Sequence, residues 1–189
     1  FISGGAPLKD KYRKYYRSMG FTLVEGYGLS ETTGPICLPD PKRNPVGSVG
    51  AVTPGNEIKI ININEDGIGE VCFRGDSVSP GYLHNDEANR LSFDSEGYFR
   101  TGDLGRLDKK GNLYLTGRIK NVIVLSSGKN VYPEELESYY KQSSAIEEIA
   151  VFGLEKEGNE RVYAVIVPAL KNEKSFEQVR EEINRLNRG

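Results

Sequence analysis

The sequence predicts an α/β and α+β fold: the end of an α/β domain with a small antiparallel β-barrel-like subdomain, followed by a small α+β domain. Three observations predict it. An apolar segment at Phe1–Ser3 runs through a glycine turn into a helical pattern and out to a second apolar segment at 21–25, the order found in parallel sheets. From about Val46 the apolar runs shorten and alternate with turn residues, as in small antiparallel sheets. Near Gly117 a third block begins, in which two helical patterns flank a pair of strand patterns.

Gly4-Gly5-Ala6-Pro7 forms the first turn, with proline tolerated where a helix begins because its missing N–H has no helical partner there. Leu8, Tyr12, Tyr15, Tyr16 and Met19 then share one helical face, and Gly20 suits the residue after the helix end. The strand at 21–25 delivers Glu25-Gly-Tyr-Gly-Leu-Ser-Glu-Thr-Thr-Gly34 at its carboxyl end, where sheets of this kind bind ligands. Strands are predicted at 57–63 and 69–74 around the turn 64–67, and at 105–108 and 112–116 around Lys109-Lys110-Gly111.

In the third block, 121–126 reads as a strand and 127–130 as a turn. Pro133 opens a helix that turns Leu136, Tyr139 and Tyr140 inward and Glu134, Glu135 and Glu137 outward. Acidic residues near a helix start suit its dipole, at about 0.3–1 kcal/mol each. Strands at 148–154 and 161–168 pair across a polar turn. The last helix carries a capping box, Ser175-x-x-Gln178, and a stripe of Phe176, Val179, Ile183 and Leu186. These patterns divide the chain into 1–45, 46–117 and 118–189, with the boundary of the last block at 117–121.

Composition narrows the function. A net charge of -2 gives no reason to expect nucleic acid or an anionic membrane as partner. No apolar run approaches the roughly 18 residues of a membrane span, and no secretory signal is visible. Cys37 and Cys72 make neither a disulfide framework nor a zinc set and read as buried thiols of a reducing, cytoplasmic compartment. His84 is the only histidine, which argues against a triad hydrolase and against metal sites built from several imidazoles. Ser126-Ser-Gly-Lys129 is not a phosphate-binding P-loop, because Ile123 and Asn130 stand where glycine and Ser or Thr are required. Gly67-Ile-Gly69 lacks the third glycine of a dinucleotide fingerprint. Phe1 is no initiator methionine and already lies in a strand pattern, so a piece of a larger protein is expected.

Four clusters carry possible chemistry. In the glycine-rich decapeptide, Tyr27 offers a flat face for a base, Ser30 a donor for an oxyanion, and Glu31 a hard ligand for a divalent cation. Asp103, in Thr101-Gly-Asp103, suits either a ribose diol or an Asx turn. Arg118, in Gly117-Arg-Ile-Lys120, suits either phosphate and ribose oxygens or plain solvent. Ser126-Ser-Gly-Lys-Asn-Val-Tyr-Pro-Glu-Glu-Leu-Glu137 joins a glycine loop to an acidic helix.

Ser3-Gly-Gly-Ala-Pro7, Gly26-Tyr-Gly-Leu-Ser-Glu-Thr32, Thr101-Gly-Asp103, Gly117-Arg-x-Lys120 and the loop to Glu137 occur in one order. This series resembles the later half of the adenylate-forming superfamily, which contains acyl-CoA synthetases, peptide-synthetase adenylation domains and firefly-type luciferases. Gly117-Arg-Ile-Lys-Asn-Val-Ile123 and Tyr132-Pro-Glu-Glu-Leu-Glu137 look most like acyl-CoA ligases of the fatty-acid type. Peptide-synthetase domains usually carry a Glu-Leu-Gly-type ending there.

The resemblance implies an ATP-dependent ligase that forms acyl-AMP from a carboxylic acid of the fatty-acid type and passes the acyl group to CoA. It implies that Gly4, Gly5, Ala6 and Pro7 border the adenine, with Glu25, Gly26 and Tyr27 completing its slot. Ser30, where relatives more often have threonine, would meet the α-phosphate, Glu31 would hold Mg²⁺, and Asp103 and Arg118 would reach ribose or phosphate. Ser30, Glu31 and Lys120 are the implied catalytic positions, with Lys120 at the hinge of a mobile final domain. Ser127, Gly128 and Lys129 would face the pantetheine arm of CoA. The phosphate loop and terminal lysine of relatives are not found, so these 189 residues are expected to be inactive alone. Two other functions fit the same residues: an enzyme with a carrier-bound thiol acceptor, and a non-catalytic nucleotide-binding module.

Overall fold

The structure, a computed structural model, describes residues 1–6, 8, 10–42, 45–156, 158–169 and 175–186, the side chains at 10, 11 and 175 excepted. Pro7, half of the capping box at Ser175, and the end of the chain from residue 187 lie outside the described residues. The described chain is mixed α/β and divides into two compact units, 1–115 and 116–189.

The first unit opens with β1 (Ile2–Ser3), α1 (Asp10–Ser18) and β2 (Val24–Glu25). The two strands pair in parallel, Ile2 beside Val24 and Ser3 beside Glu25. Gly20, at φ 82°, turns the chain out of α1. The tyrosine face of α1 departs from its expected burial: Tyr12, Tyr15, Tyr16 and Met19 are all exposed. Strands of two residues present too narrow a face to cover a nine-residue helix.

The chain continues through β3 (Tyr27–Leu29), a 3₁₀ turn at Ser30–Thr32, β4 (Gly34–Leu38), β5 (Gly50–Val52), β6 (Asn56–Ile61), β7 (Gly69–Gly75), α2 (Asp86–Ser92), β8 (Phe99–Leu107) and β9 (Asn112–Arg118). The seven strands form one sheet in the order β3-β4-β5-β9-β8-β7-β6. It is open, which corrects the expected barrel-like closure. Closing a barrel requires its two edges to pair along matched lengths, whereas β3 has three residues and β6 has six. Ile36, Cys37, Val49, Val71, Phe73 and Leu113 form the core of this unit, with Tyr27, Ile58 and Leu115 packed against it.

Gly50 lies at φ 91°, and a Cβ there would overlap the backbone carbonyl of Leu38 and the nitrogen of Pro39. Its neighbour Ser48 fixes the same crossing, donating to the Leu113 carbonyl at 2.9 Å and accepting from the Gly50 N–H at 2.9 Å. The other face of β7 is polar yet buried: Glu70, 5% exposed at the side chain, accepts from both Nε and Nη2 of Arg100 at 3.0 and 2.6 Å. Both donors converge on the one oxygen Oε2, and a buried carboxylate needs such charge-assisted pairing to offset its lost hydration.

Both thiols are free and buried, and burial pushes each up to about 12. At pH 8 only about one in ten thousand of either is thiolate, the reactive form. The native protein is therefore expected to resist Ellman's reagent at pH 8 and to release two equivalents once unfolded in denaturant. Stoichiometric labelling before unfolding would contradict this burial.

The second unit continues from the end of β9 through a 3₁₀ turn at Ile119–Asn121, then β10 (Ile123–Val124), β11 (Asn130–Val131), α3 (Pro133–Tyr140), β12 (Ile146–Lys156), β13 (Asn159–Pro168) and α4 (Ser175–Leu186). The strand expected at 121–126 shrinks to two residues. The 3₁₀ turn claims its start, and the Leu125 N–H turns to the Lys129 carbonyl at 3.0 Å. β12 and β13 make a long antiparallel ribbon whose inner residues Ile149, Val151 and Ile166 pack with Ile123, Leu136, Val179 and Ile183. Helix α3 sits differently from its predicted rotation. Glu137 turns in to accept the Val151 N–H at 2.9 Å, and Tyr139 is 43% exposed with its hydroxyl donating to the Leu186 carbonyl. A backbone donor on the outer edge of β12 requires an acceptor, and Glu137 is the carboxylate within reach.

Glu134, in the first turn of α3, lies over Gly117. Its Oε2 is 2.5 Å from where a Cβ on Gly117 would sit, and its Oε1 accepts from Asn121 Nδ2 at 2.6 Å.

Candidate active site

The candidate site grows from the parallel pair β1–β2. Pairing brings the turn after Ser3 alongside the turn after Glu25, and the Gly26 N–H donates to the Ser3 carbonyl at 2.8 Å. A Cβ on Gly4 would stand 3.3 Å from the Gly26 carbonyl oxygen, so the two glycine segments touch backbone to backbone. Gly4, Gly5 and Ala6 thus border Glu25, Gly26 and Tyr27, and among these Gly5 has φ 82°. The Glu25 carboxylate accepts from Arg13 Nη2 of α1 at 3.1 Å.

Beyond Gly26 the chain makes a tight hairpin. Gly28 faces the Gly34 carbonyl so closely that any Cβ would overlap it. Thr32, 1% exposed, closes the 3₁₀ turn with one oxygen, which accepts the Leu29 N–H at 2.9 Å and lies 3.0 and 2.9 Å from the Leu29 and Gly34 carbonyls. Ser30 is exposed at the head of that turn and Glu31 is half-buried.

Tyr27 is half-buried, its ring 6.1 Å from that of Phe73 on the core. Its hydroxyl donates to Asp103 Oδ2 at 2.6 Å across 76 residues of sequence. Asp103 is 5% exposed on β8, and its own N–H donates to Thr101 Oγ1 at 3.0 Å. Burial first, and then the Asp103 charge, hold the Tyr27 phenol well above the ordinary tyrosine range. Tyr27 is therefore a fixed donor, and Asp103 is an ordered acceptor at the carboxyl side of the glycine segment.

Arg118, Lys120, Ser127, Gly128 and Lys129 belong to the second unit. All five are exposed: Arg118 ends β9, Lys120 lies in the following 3₁₀ turn, and 127–129 form the tip of the β10–β11 hairpin. Gly128 takes φ 80° there, with open space where a side chain would start.

Sequence reasoning missed Tyr82. Its hydroxyl donates to Glu31 Oε1 at 2.7 Å, although 51 residues separate the two. No spacing or periodicity marks such a pair; only the sheet brings it together.

Among the described residues no three His, Cys, Asp or Glu side chains gather as a metal cage. Glu31 nevertheless fits a shared site. Mg²⁺ is commonly held by one or two carboxylates together with substrate phosphates rather than by protein alone.

A glycine turn at a parallel strand pair, an aromatic donor and ordered carboxylates lie together in the first unit. In comparison with known proteins, residues 1–83 match the family of AMP-binding enzymes, and 120–188 match the AMP-binding enzyme C-terminal domain. The chain belongs to the AMP-binding, adenylate-forming enzymes. It is 37% identical over 187 residues to the long-chain-fatty-acid–CoA ligase FadD13 of Mycobacterium tuberculosis, covering 96% of this chain and 37% of that protein. It is 40% identical over 143 residues to the long-chain-fatty-acid–CoA ligase ACSBG1 of Rattus norvegicus, covering 76% of this chain and 20% of that protein. The o-succinylbenzoate–CoA synthetase of Bacillus subtilis, solved with its acyl-adenylate intermediate, superposes with a TM-score of 0.82 at 29% identity over 97% of this chain and 39% of that one. The same synthetase, solved with ATP and magnesium ion, gives a TM-score of 0.79 at 31% identity, over 96% and 39%. The chain thus spans between a fifth and two fifths of these relatives' lengths.

Proposed function

We propose that this chain supplies the adenosine- and thiol-facing part of an ATP-dependent, AMP-forming acyl-CoA ligase acting on a carboxylic acid of the fatty-acid type. The observation that carries the reading is the Tyr27–Asp103 hydrogen bond beside the paired glycine turns. It joins a flat aromatic ring at the start of β3 to an ordered carboxylate on β8, the two groups that an adenine and a ribose diol need. Gly4, Gly5, Ala6, Glu25 and Gly26 line the base, Ser30 donates to the α-phosphate, and Arg118 reaches ribose or phosphate. Pro7, outside the described residues, completes the turn in this reading.

Glu31 would hold Mg²⁺, and the ion, when bound, would neutralise charge developing on the phosphates. The acid's carboxylate attacks the α-phosphorus, pyrophosphate leaves, and the CoA thiol then displaces AMP from the acyl-adenylate. Residues 1–45 and 46–117 bind the nucleotide, and 118–189 form a mobile domain hinged near Lys120. The relatives described above are CoA ligases and a CoA synthetase, which favours CoA over a carrier-bound thiol. A cytoplasmic site of action fits the two free thiols, and among the described residues no helix is long and apolar enough to cross a membrane.

The test is pyrophosphate exchange by the whole protein over a panel of carboxylic acids, followed by thioester formation with and without CoA. Exchange stimulated by fatty acids, with CoA thioester as product, is the expected result; no exchange with any acid overturns the reading. One variant separates the half-reactions. Gly128→Leu places bulk at the exposed hairpin tip and is expected to slow thioester formation at least tenfold while sparing exchange. Gly128→Ala imposes the same strain at φ 80°, about 1–3 kcal/mol, with little bulk. Normal thioester formation by Gly128→Leu would remove this segment from the pantetheine path.

A further inference from the structure

We infer that Tyr82 is a positioning residue for Glu31: its hydroxyl fixes the carboxylate that shares a divalent cation with the nucleotide phosphates. The inference rests on the proposed function, because it gives Glu31 a cation to hold.

The geometry is a strap laid over the 3₁₀ turn. Three hydrogen bonds join the turn Ser30–Thr33 to residues Ser77–Tyr82. The Ser79 N–H donates to the Glu31 carbonyl at 2.7 Å, Thr33 Oγ1 donates to the Ser77 carbonyl at 3.0 Å, and Tyr82 Oη donates to Glu31 Oε1 at 2.7 Å. The first holds the backbone of the turn, the second engages the Thr33 hydroxyl, and only the third reaches a carboxylate that chemistry could use. Thr33 takes φ 53°, a backbone state uncommon for a residue other than glycine and held here by its neighbours.

The strap is itself anchored at both ends. Ser77 bonds through N–H and hydroxyl to Asn56 Oδ1 at 3.3 and 2.6 Å. At the other end Asn89 of α2 grips the Tyr82 backbone twice: it accepts the N–H at 2.7 Å and donates Nδ2 to the carbonyl at 2.9 Å. Gly81, at φ 142°, leaves room for that grip, since a Cβ there would stand 2.8 Å from Asn89 Oδ1. Helix α2, itself capped by the Asn85 side chain on the Ala88 N–H, therefore fixes the Tyr82 backbone.

A neutral hydroxyl donor on one carboxylate oxygen restricts the rotamer and adds no charge that would compete with a cation. An aliphatic side chain at 82 would leave Glu31 free to sample other rotamers. A cationic one would compete with the metal.

The test uses Mn²⁺ as probe, followed by electron paramagnetic resonance in the presence of ATP, on the whole protein and on the variants Glu31→Gln and Tyr82→Phe. ATP affinity in EDTA serves as the control for folding and nucleotide binding. Expected are a large loss of ATP-dependent Mn²⁺ affinity in Glu31→Gln and a loss of about tenfold in Tyr82→Phe, the low end for a residue that orients a metal ligand. Metal-free ATP affinity should stay within about twofold in both. An unchanged Mn²⁺ affinity in Glu31→Gln overturns the assignment of the cation to Glu31 and the inference with it. A loss in Glu31→Gln with none in Tyr82→Phe overturns the role of Tyr82 alone. Equal losses of metal-free ATP affinity and Mn²⁺ affinity in Tyr82→Phe would make its role merely structural and also overturn it. If Tyr82→Phe proves unstable, Asn89→Ala provides a second route: it frees the Tyr82 backbone while keeping the phenol, and is expected to weaken Mn²⁺ binding in the same direction.

Discussion

Gly50→Ala is expected to abolish cooperative folding of residues 1–115. The new methyl group would overlap the Leu38 carbonyl and the Pro39 nitrogen, and these atoms belong to the backbone between β4 and β5. No side-chain rotation relieves such a contact. The left-handed φ of 91° adds its own penalty. Backbone strain of this kind costs about 1–3 kcal/mol, and overpacking a tight site costs a further 1–3 kcal/mol or so. Their sum approaches the roughly 5–15 kcal/mol by which whole domains are stable. Circular dichroism melting of the variant should show a large drop or loss of the main transition. Gly67→Ala, where a methyl group meets only open space at φ 77°, is the control for strain without overlap. Equal melting temperatures for Gly50→Ala and the natural protein would show that the β4–β5 crossing is far looser than described.

Asp103→Ala is expected to weaken AMP binding by roughly 10- to 100-fold, the equivalent of one charge-assisted hydrogen bond of about 1.5–3 kcal/mol to the ribose. The loss should fall on the sugar alone. 2′,3′-Dideoxy-AMP should bind the variant and the natural protein alike, and calorimetry with the two nucleotides separates these cases. A loss that is equal for AMP and the dideoxy analogue would assign Asp103 to holding Tyr27 and not to the diol. The tyrosine supplies a second readout. Its phenol is raised above the ordinary value of 10 by burial and by Asp103. A raised value favours the protonated folded form, so this contribution to stability is complete below pH 10 and is lost as the pH climbs from there through the folded value. In the natural protein the ¹³Cζ resonance of Tyr27 should therefore not titrate up to pH 11. Removing the Asp103 charge should lower its midpoint while leaving the burial effect in place.

How much of this was legible beforehand depended on the range of each interaction. The parallel pair, the hairpin at 109–111, the helix started by Pro133 and the ribbon of 146–168 are written in local periodicity and turn chemistry, and a sequence displays those directly. The resemblance of ordered motifs pointed to Tyr27, Glu31 and Asp103. It did not supply the direct bond between Tyr27 and Asp103, which depends on the lateral order of strands in a sheet. Closure of the sheet was misjudged for a related reason. The β3 edge stops where the 3₁₀ turn at Ser30–Thr32 begins, and that turn is closed by the single Thr32 side chain. The exposure of Tyr12, Tyr15 and Tyr16 shows the limit of periodicity, which identifies an apolar face but not the surface that covers it. Tyr82 lay beyond either kind of signal.

The seat of Glu134 over Gly117 has a consequence for the variation this chain can accept. A methyl group at 117 and a full-length carboxylate at 134 compete for one volume, so a change at either site must be judged in the background of the other. Asn121 is a third party, since its amide is bound to the same carboxylate. Three positions that look independent along the sequence are therefore coupled: a methyl group at 117 would turn the Glu134 carboxylate aside and strain its bond to Asn121. Gly117→Ala should be tolerated best where residue 134 has already shortened and residue 121 has found another acceptor.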